Sequence, residues 1–207
     1  MPLIRKDPPS AAPAGAPDDA LRALATGTTD ARFAAARSLS GRPEAVASLG
    51  QALAAEQDDR VREAILTALS RVGSAESAQV IMPLIRSDDA SVRTAALDAL
   101  RLMPDAVAEH LAGLLADGDA DVRLLACELA RHLPGPLATR LICDLLDHEA
   151  EPNVCAAALD VLAEAGGPEA LPVLTRCQDR FADIPFLSFA IRVAADRIRA
   201  KPSGDRG

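Results

Sequence analysis

Apolar residues fall at helical spacing in four stretches of nearly the same text: DDRVREAILTAL at 58–69, DASVRTAALDAL at 89–100, DADVRLLACELA at 119–130 and EPNVCAAALDVL at 151–162. A degenerate fifth, TDARFAAARSL, occupies 29–39. In the first of these, Val61, Ala64, Ile65, Ala68 and Leu69 share one face of a helix. The marker residues Ala31, Val61, Val92, Val122 and Val154 stand 30, 31, 30 and 32 residues apart, a period that chance does not produce. Asp58, Asp89, Asp119 and Glu151 each precede a marker by three positions, where a carboxylate can accept from free first-turn amides. A second set of amphipathic stretches lies between, as in PEAVASLGQALAAE at 43–56 and PLATRLICDLLD at 136–147, and Gly, Pro and Asp mark the joints. The pattern predicts helical hairpins of about 31 residues, none able to bury its apolar stripe alone.

These residues resemble the HEAT repeat family, in particular its short bacterial subclass first noted in phycobilisome lyases. The signature is an acidic turn, then Val-Arg, then Ala and Leu at helical spacing. Asp58/Val61/Arg62, Asp89/Val92/Arg93 and Asp119/Val122/Arg123 meet it over roughly 18–200. The resemblance implies an all-α fold, a right-handed α-solenoid of about six hairpins over 18–201. The Pro/Ala-rich segment 1–17 and the terminus 202–207 are expected to be disordered tails. Ala31 replaces the first Val and Cys155 replaces the last Arg, so an arginine ladder should break at Cys155. MPLIR occurs at 1–5 and again at 82–86; the copies are out of register with the period. Pro83 in the second removes a helical hydrogen bond and should tighten the end of its helix.

Composition narrows the function classes. Aromatics are 2% of 207 residues, so the 49% hydrophobic content is chiefly small and aliphatic side chains, suited to close helix packing. A net charge of −8 argues against a nucleic-acid partner. No apolar run is long enough to span a membrane, and the four widely spaced cysteines suit free thiols in a reducing cytoplasm.

The arginines and acids Asp58, Arg62, Asp89, Arg93, Asp119 and Arg123 recur once per repeat, which suits stapling of one hairpin to the next. Six positions beyond each marker stand Arg37, Thr67, Asp98, Glu128 and Asp160. In HEAT-like proteins the second helices line the concave face, so the last three would form a negative stripe there. Arg101 and Arg131 pair with Asp98 and Glu128 along their own helices. This set is the candidate partner-binding stripe, although a merely solvated face would look the same. Phe181, Phe186 and Phe189 cluster near the C-terminus, and two readings stay open: a plug for the core, or an apolar docking surface. The histidines show no repeated His-Glu pairing, so no catalytic residue, cofactor or metal ligand is expected.

The expectation is a non-catalytic scaffold or adaptor in the bacterial cytoplasm, monomeric or weakly dimeric. It would hold a protein partner of basic surface through the concave face. The alternative is a subunit of a chromophore-lyase-type enzyme.

Overall fold

The computed structural model describes residues 17–201; the expected tails, apart from Pro17, and the first MPLIR copy lie outside the described residues. Among the described residues every regular element is helical, and twelve α-helices form six consecutive hairpins. Contacts divide the chain into two compact units, one ending at Val72 and the other beginning at Gly73.

The first unit holds two hairpins, α1 (Pro17–Thr26) with α2 (Thr29–Ser38) and α3 (Val46–Ala55) with α4 (Asp59–Val72). Helix α2 packs beside α4 and α1 beside α3, giving two layers. Gly41 leaves the α2 region at φ +74°, a left-handed conformation natural to glycine, and its amide reaches the Ala68 carbonyl at 3.4 Å. Gly73 stops α4 the same way at φ +67°.

The second unit holds four hairpins. They pair α5 (Ala75–Ile81) with α6 (Ala90–Arg101), α7 (Pro104–Leu115) with α8 (Ala120–Ala130), α9 (Gly135–His148) with α10 (Pro152–Ala165), and α11 (Leu171–Arg180) with α12 (Pro185–Ala200). Second helices stack on second helices, α6 on α8, α8 on α10 and α10 on α12; first helices do likewise. Pro83 acts as expected: α5 ends at Ile81 and the chain tightens into a 3-10 segment over Met82–Arg86, with Ile81 and Ile85 still buried.

The repeated apolar positions form the core. Val61, Ile65 and Leu69 are fully buried in the first unit; Ala96, Leu100, Ala126, Val154, Ala158 and Leu162 are buried at matching positions of the second. Alanine at these positions lets adjacent second helices approach closely. Each fully buried Leu or Ile contributes about 1.5–3 kcal/mol relative to exposure.

Candidate functional site

The per-repeat acids and arginines do structural work, in a different pairing from the expected ladder. Asp58 accepts from the Val61 amide at 3.1 Å, Asp89 from Ser91 at 2.8 Å and Asp119 from Asp121 at 2.9 Å, so each caps its own helix. Glu151 makes no such cap bond. The arginines turn back onto the loop. Arg62 donates to the Glu56 carbonyl at 3.1 Å, Arg93 to Ser87 at 2.6 Å and Arg123 to Asp117 at 2.8 Å, always six residues upstream. Cys155, where arginine was expected, keeps the relation: its thiol meets the Glu149 carbonyl at 3.7 Å.

Two glutamates staple one hairpin to the next. Arg32 grips Glu56 with Nε and Nη2 at 2.8 and 2.9 Å, and Arg123 grips Glu149 at 2.6 and 3.0 Å. Both carboxylates are buried, and each also accepts the next two loop amides. The Arg32 guanidinium is the main reason the Glu56 carboxyl is held below its ordinary value, with the Asp58 and Gln57 amides adding to it against the opposing effect of burial. At Glu149 burial pushes the pKa up, but Arg123 and the Glu151 and Ala150 amides outweigh it and the net shift is downward.

The candidate stripe lies on the solvent side of the second helices. In the second unit it is a ladder of alternating charge, in which pairs within one helix are joined by pairs to the next helix. Arg101 holds Asp98 of its own helix at 2.8 Å and faces Glu128 of α8 at 3.9 Å. Arg131 meets Glu128 at 3.5 Å, Asp160 of α10 at 3.7 Å and Glu164 at 2.6 Å. Two arginines against four carboxylates leave the row negative, with Asp98, Asp160 and Glu164 all more than half exposed. An apolar row runs beside it: Leu124 and Leu125 on α8, Ala156 and Ala157 on α10, Phe189, Ala190 and Val193 on α12, each partly or fully exposed.

The C-terminal phenylalanines divide by burial. Phe181 is 6% exposed and belongs to the core, a correction to its place in a docking surface. The plug face of α12 is Leu187, Ile191, Ala194 and Ile198, all buried. Phe186 and Phe189, at 52% and 61% exposed, stand on the opposite face, the one carrying the apolar row.

In the first unit the predicted stripe residues Arg37 and Thr67 border a cavity of about 410 Å³ between α2 and α4, together with Phe33, Ser40, Arg60, Glu63 and Arg71. The Arg60 guanidinium lies 4.0 Å from the Phe33 ring centroid, and that of Arg37 lies 5.6 Å away.

A family profile for HEAT repeats matches residues 17–101 and 107–184, most of the chain. The chain belongs to the HEAT-repeat family. Among solved structures it is similar to an archaeal HEAT-like repeats protein from Thermococcus onnurineus NA1, with 16% identity, 89% of this chain and 87% of that one covered, and a TM-score of 0.50. It is also similar to a designed armadillo repeat protein in complex with the peptide (KR)4, with 16% identity, 89% and 100% covered, and a TM-score of 0.46. The complex of CpcE and CpcF of phycocyanin lyase from Nostoc sp. PCC7120 aligns at 17% identity, 95% and 100% covered, with a TM-score of 0.43. These likenesses concern the fold. No curated protein matches the chain.

The chemistry within reach of this HEAT-repeat chain is limited. Burial, reinforced by nearby carboxylates, pushes the Cys127 and Cys155 thiols to about 12 and Cys143 to about 11, and burial raises Cys177. Among the described residues no three His, Cys, Asp or Glu side chains converge as a metal site would need, and no helix is long and apolar enough to cross a membrane.

The Glu56 and Glu149 staples escaped sequence reasoning, although a signal was present. Position six before each second-helix Arg or Cys reads Glu56, Ser87, Asp117 and Glu149, a polar acceptor with the period of the repeat.

Proposed function

We propose that this HEAT-repeat chain is a non-catalytic interaction module that holds a protein partner on the exposed face of its second helices. The observation that carries the reading is the pairing of two rows on α8, α10 and α12. A half-buried apolar row from Leu124 to Val193, ending on the exposed Phe189, runs beside the charge ladder of Glu128, Arg131, Asp160 and Glu164. An apolar centre with a charged rim is the usual anatomy of a specific interface. The negative excess at Asp98, Asp160 and Glu164 favours a partner of basic surface, steering its approach more than adding affinity. Raised thiol pKa values keep the cysteines unreactive, consistent with a role that asks no nucleophile of the chain, and free thiols suit a reducing cytoplasm.

The test uses a partner recovered from native cells and measured by calorimetry. Asp98→Lys with Asp160→Lys, and separately Leu125→Asp, should each weaken binding about tenfold or more, with the fold intact by circular dichroism. Unchanged affinity in both would refute the reading, and a co-purified small molecule turned over by the chain would favour an enzyme.

A further inference from the structure

The two units carry different charge on their second helices. In the second unit Arg101 and Arg131 each hold carboxylates of their own and the next helix. In the first unit Arg37 makes no ion pair among the described residues, its one recorded partner being the Phe33 ring. Among the described residues the Arg71 guanidinium donates only to the Ser40 hydroxyl, at 3.3 Å. Arg60 is paired with Asp30 at 3.0 Å, and its guanidinium carbon lies 4.0 Å from the centroid of the same Phe33 ring. These three arginines and a single glutamate, Glu63, surround the cavity of about 410 Å³ between α2 and α4.

We infer that this cavity receives a carboxylate side chain of an acidic peptide segment in a partner protein. Arg37, with no ion pair among the described residues, and Arg71, bonded to a hydroxyl, keep N–H groups to spare, and such groups match a carboxylate in forked geometry. Phe33 and the buried Ala64 give the cavity an apolar floor, so the segment that fits carries aliphatic or aromatic residues beside its acids. The chain as a whole is at −8, which repels a long acidic polymer or a nucleic acid at range. What fits is a short contact, strong only where the arginines stand and sensitive to salt. The inference rests on the proposed interaction role and adds the chemistry of a second contact.

The experiment titrates a fluorescein-labelled oligo-glutamate peptide containing one phenylalanine against the full chain, read by anisotropy, with oligo-lysine and a short single-stranded DNA as controls. Saturable binding to the acidic peptide, falling as salt rises, is expected. Arg37→Glu with Arg71→Glu should weaken it about tenfold, the effect of reversing two partly exposed charge contacts. Arg37→Gln with Arg71→Gln should weaken it less, and Asp98→Lys with Asp160→Lys should leave it no weaker. All these side chains are exposed, so thermal unfolding should be nearly unchanged. Absence of saturable binding, tighter binding of the DNA, or indifference to the arginine changes would overturn the inference. So would self-association abolished by the same arginine changes, since the occupant would then be a second copy. Loss of the native partner on Asp98 and Asp160 reversal, with no oligo-glutamate binding, would sink this inference and leave the interaction role standing.

Discussion

Replacing Glu149 by alanine removes the acceptor of four hydrogen bonds: Arg123 Nε at 2.6 Å, Arg123 Nη2 at 3.0 Å, and the Ala150 and Glu151 amides at 2.9 Å each. The carboxylate is 6% exposed, and the Arg123 side chain is 15% exposed, so water replaces these bonds poorly. Removing one partner of a buried pair costs about 3–5 kcal/mol. Some solvent reaches Arg123, and it keeps its bond to the Asp117 carbonyl at 2.8 Å, so the lower end applies, about 3 kcal/mol. For a chain of this size that lowers the melting temperature by about 6–12 °C. Thermal and urea unfolding followed by circular dichroism measure it. The double variant Arg123→Met with Glu149→Leu should lose less than Glu149→Ala, because neither charge is then stranded. A loss under about 1 kcal/mol, or double-variant losses that simply add, would refute the claim that this pair staples neighbouring hairpins.

Acid should act through the same staples. The Glu56 and Glu149 carboxyls titrate below their ordinary value when folded, so their stabilisation is full above about pH 4.3 and lost as pH falls from there through the folded value. Glu56→Gln with Glu149→Gln should therefore flatten the acid limb of a stability–pH curve; an unchanged limb would contradict it. Phe186→Ala with Phe189→Ala should shift the unfolding midpoint by little, while Leu187→Ala or Phe181→Ala should cost about 2–5 kcal/mol by leaving a cavity. Gly73→Ala, at φ +67°, should destabilise by about 1 kcal/mol in urea unfolding, since alanine strains in that conformation.

The hairpin order was legible because a period near 31 repeats the same apolar face, and a core built that way leaves little choice of partner. Pro83 announced a tightened turn because its missing amide is a local fact. The arginine pairing was not legible. Arg62, Arg93 and Arg123 each have an aspartate four residues before them, and only the folded loop shows that this aspartate serves a first-turn amide while the guanidinium donates to a carbonyl six residues upstream. Glu149 lies 26 residues from Arg123, and that contact depends on how consecutive hairpins stack. For the phenylalanines, proximity in sequence concealed a division by helix face: Phe181 ends α11 inside the core, whereas Phe186 and Phe189 fall on the solvent side of α12. The stripe residues lie on the solvent side of the second helices, but Arg131 reaches two carboxylates of the next helix as well as its own, and sequence spacing within one helix does not reveal such contacts.

The central claim is that the second-helix face meets the partner, and photocrosslinking from single positions tests it most directly. Benzoylphenylalanine placed at Thr94 and at Ala157 probes the second helices; at Arg140 and Asp144, both exposed on α9, it probes the first-helix layer. The account predicts that one discrete protein species is captured from Thr94 and Ala157 on irradiation in the native cell, and that Arg140 and Asp144 do not capture it. Capture of that species from Arg140 or Asp144, with none from Thr94 and Ala157, would contradict it.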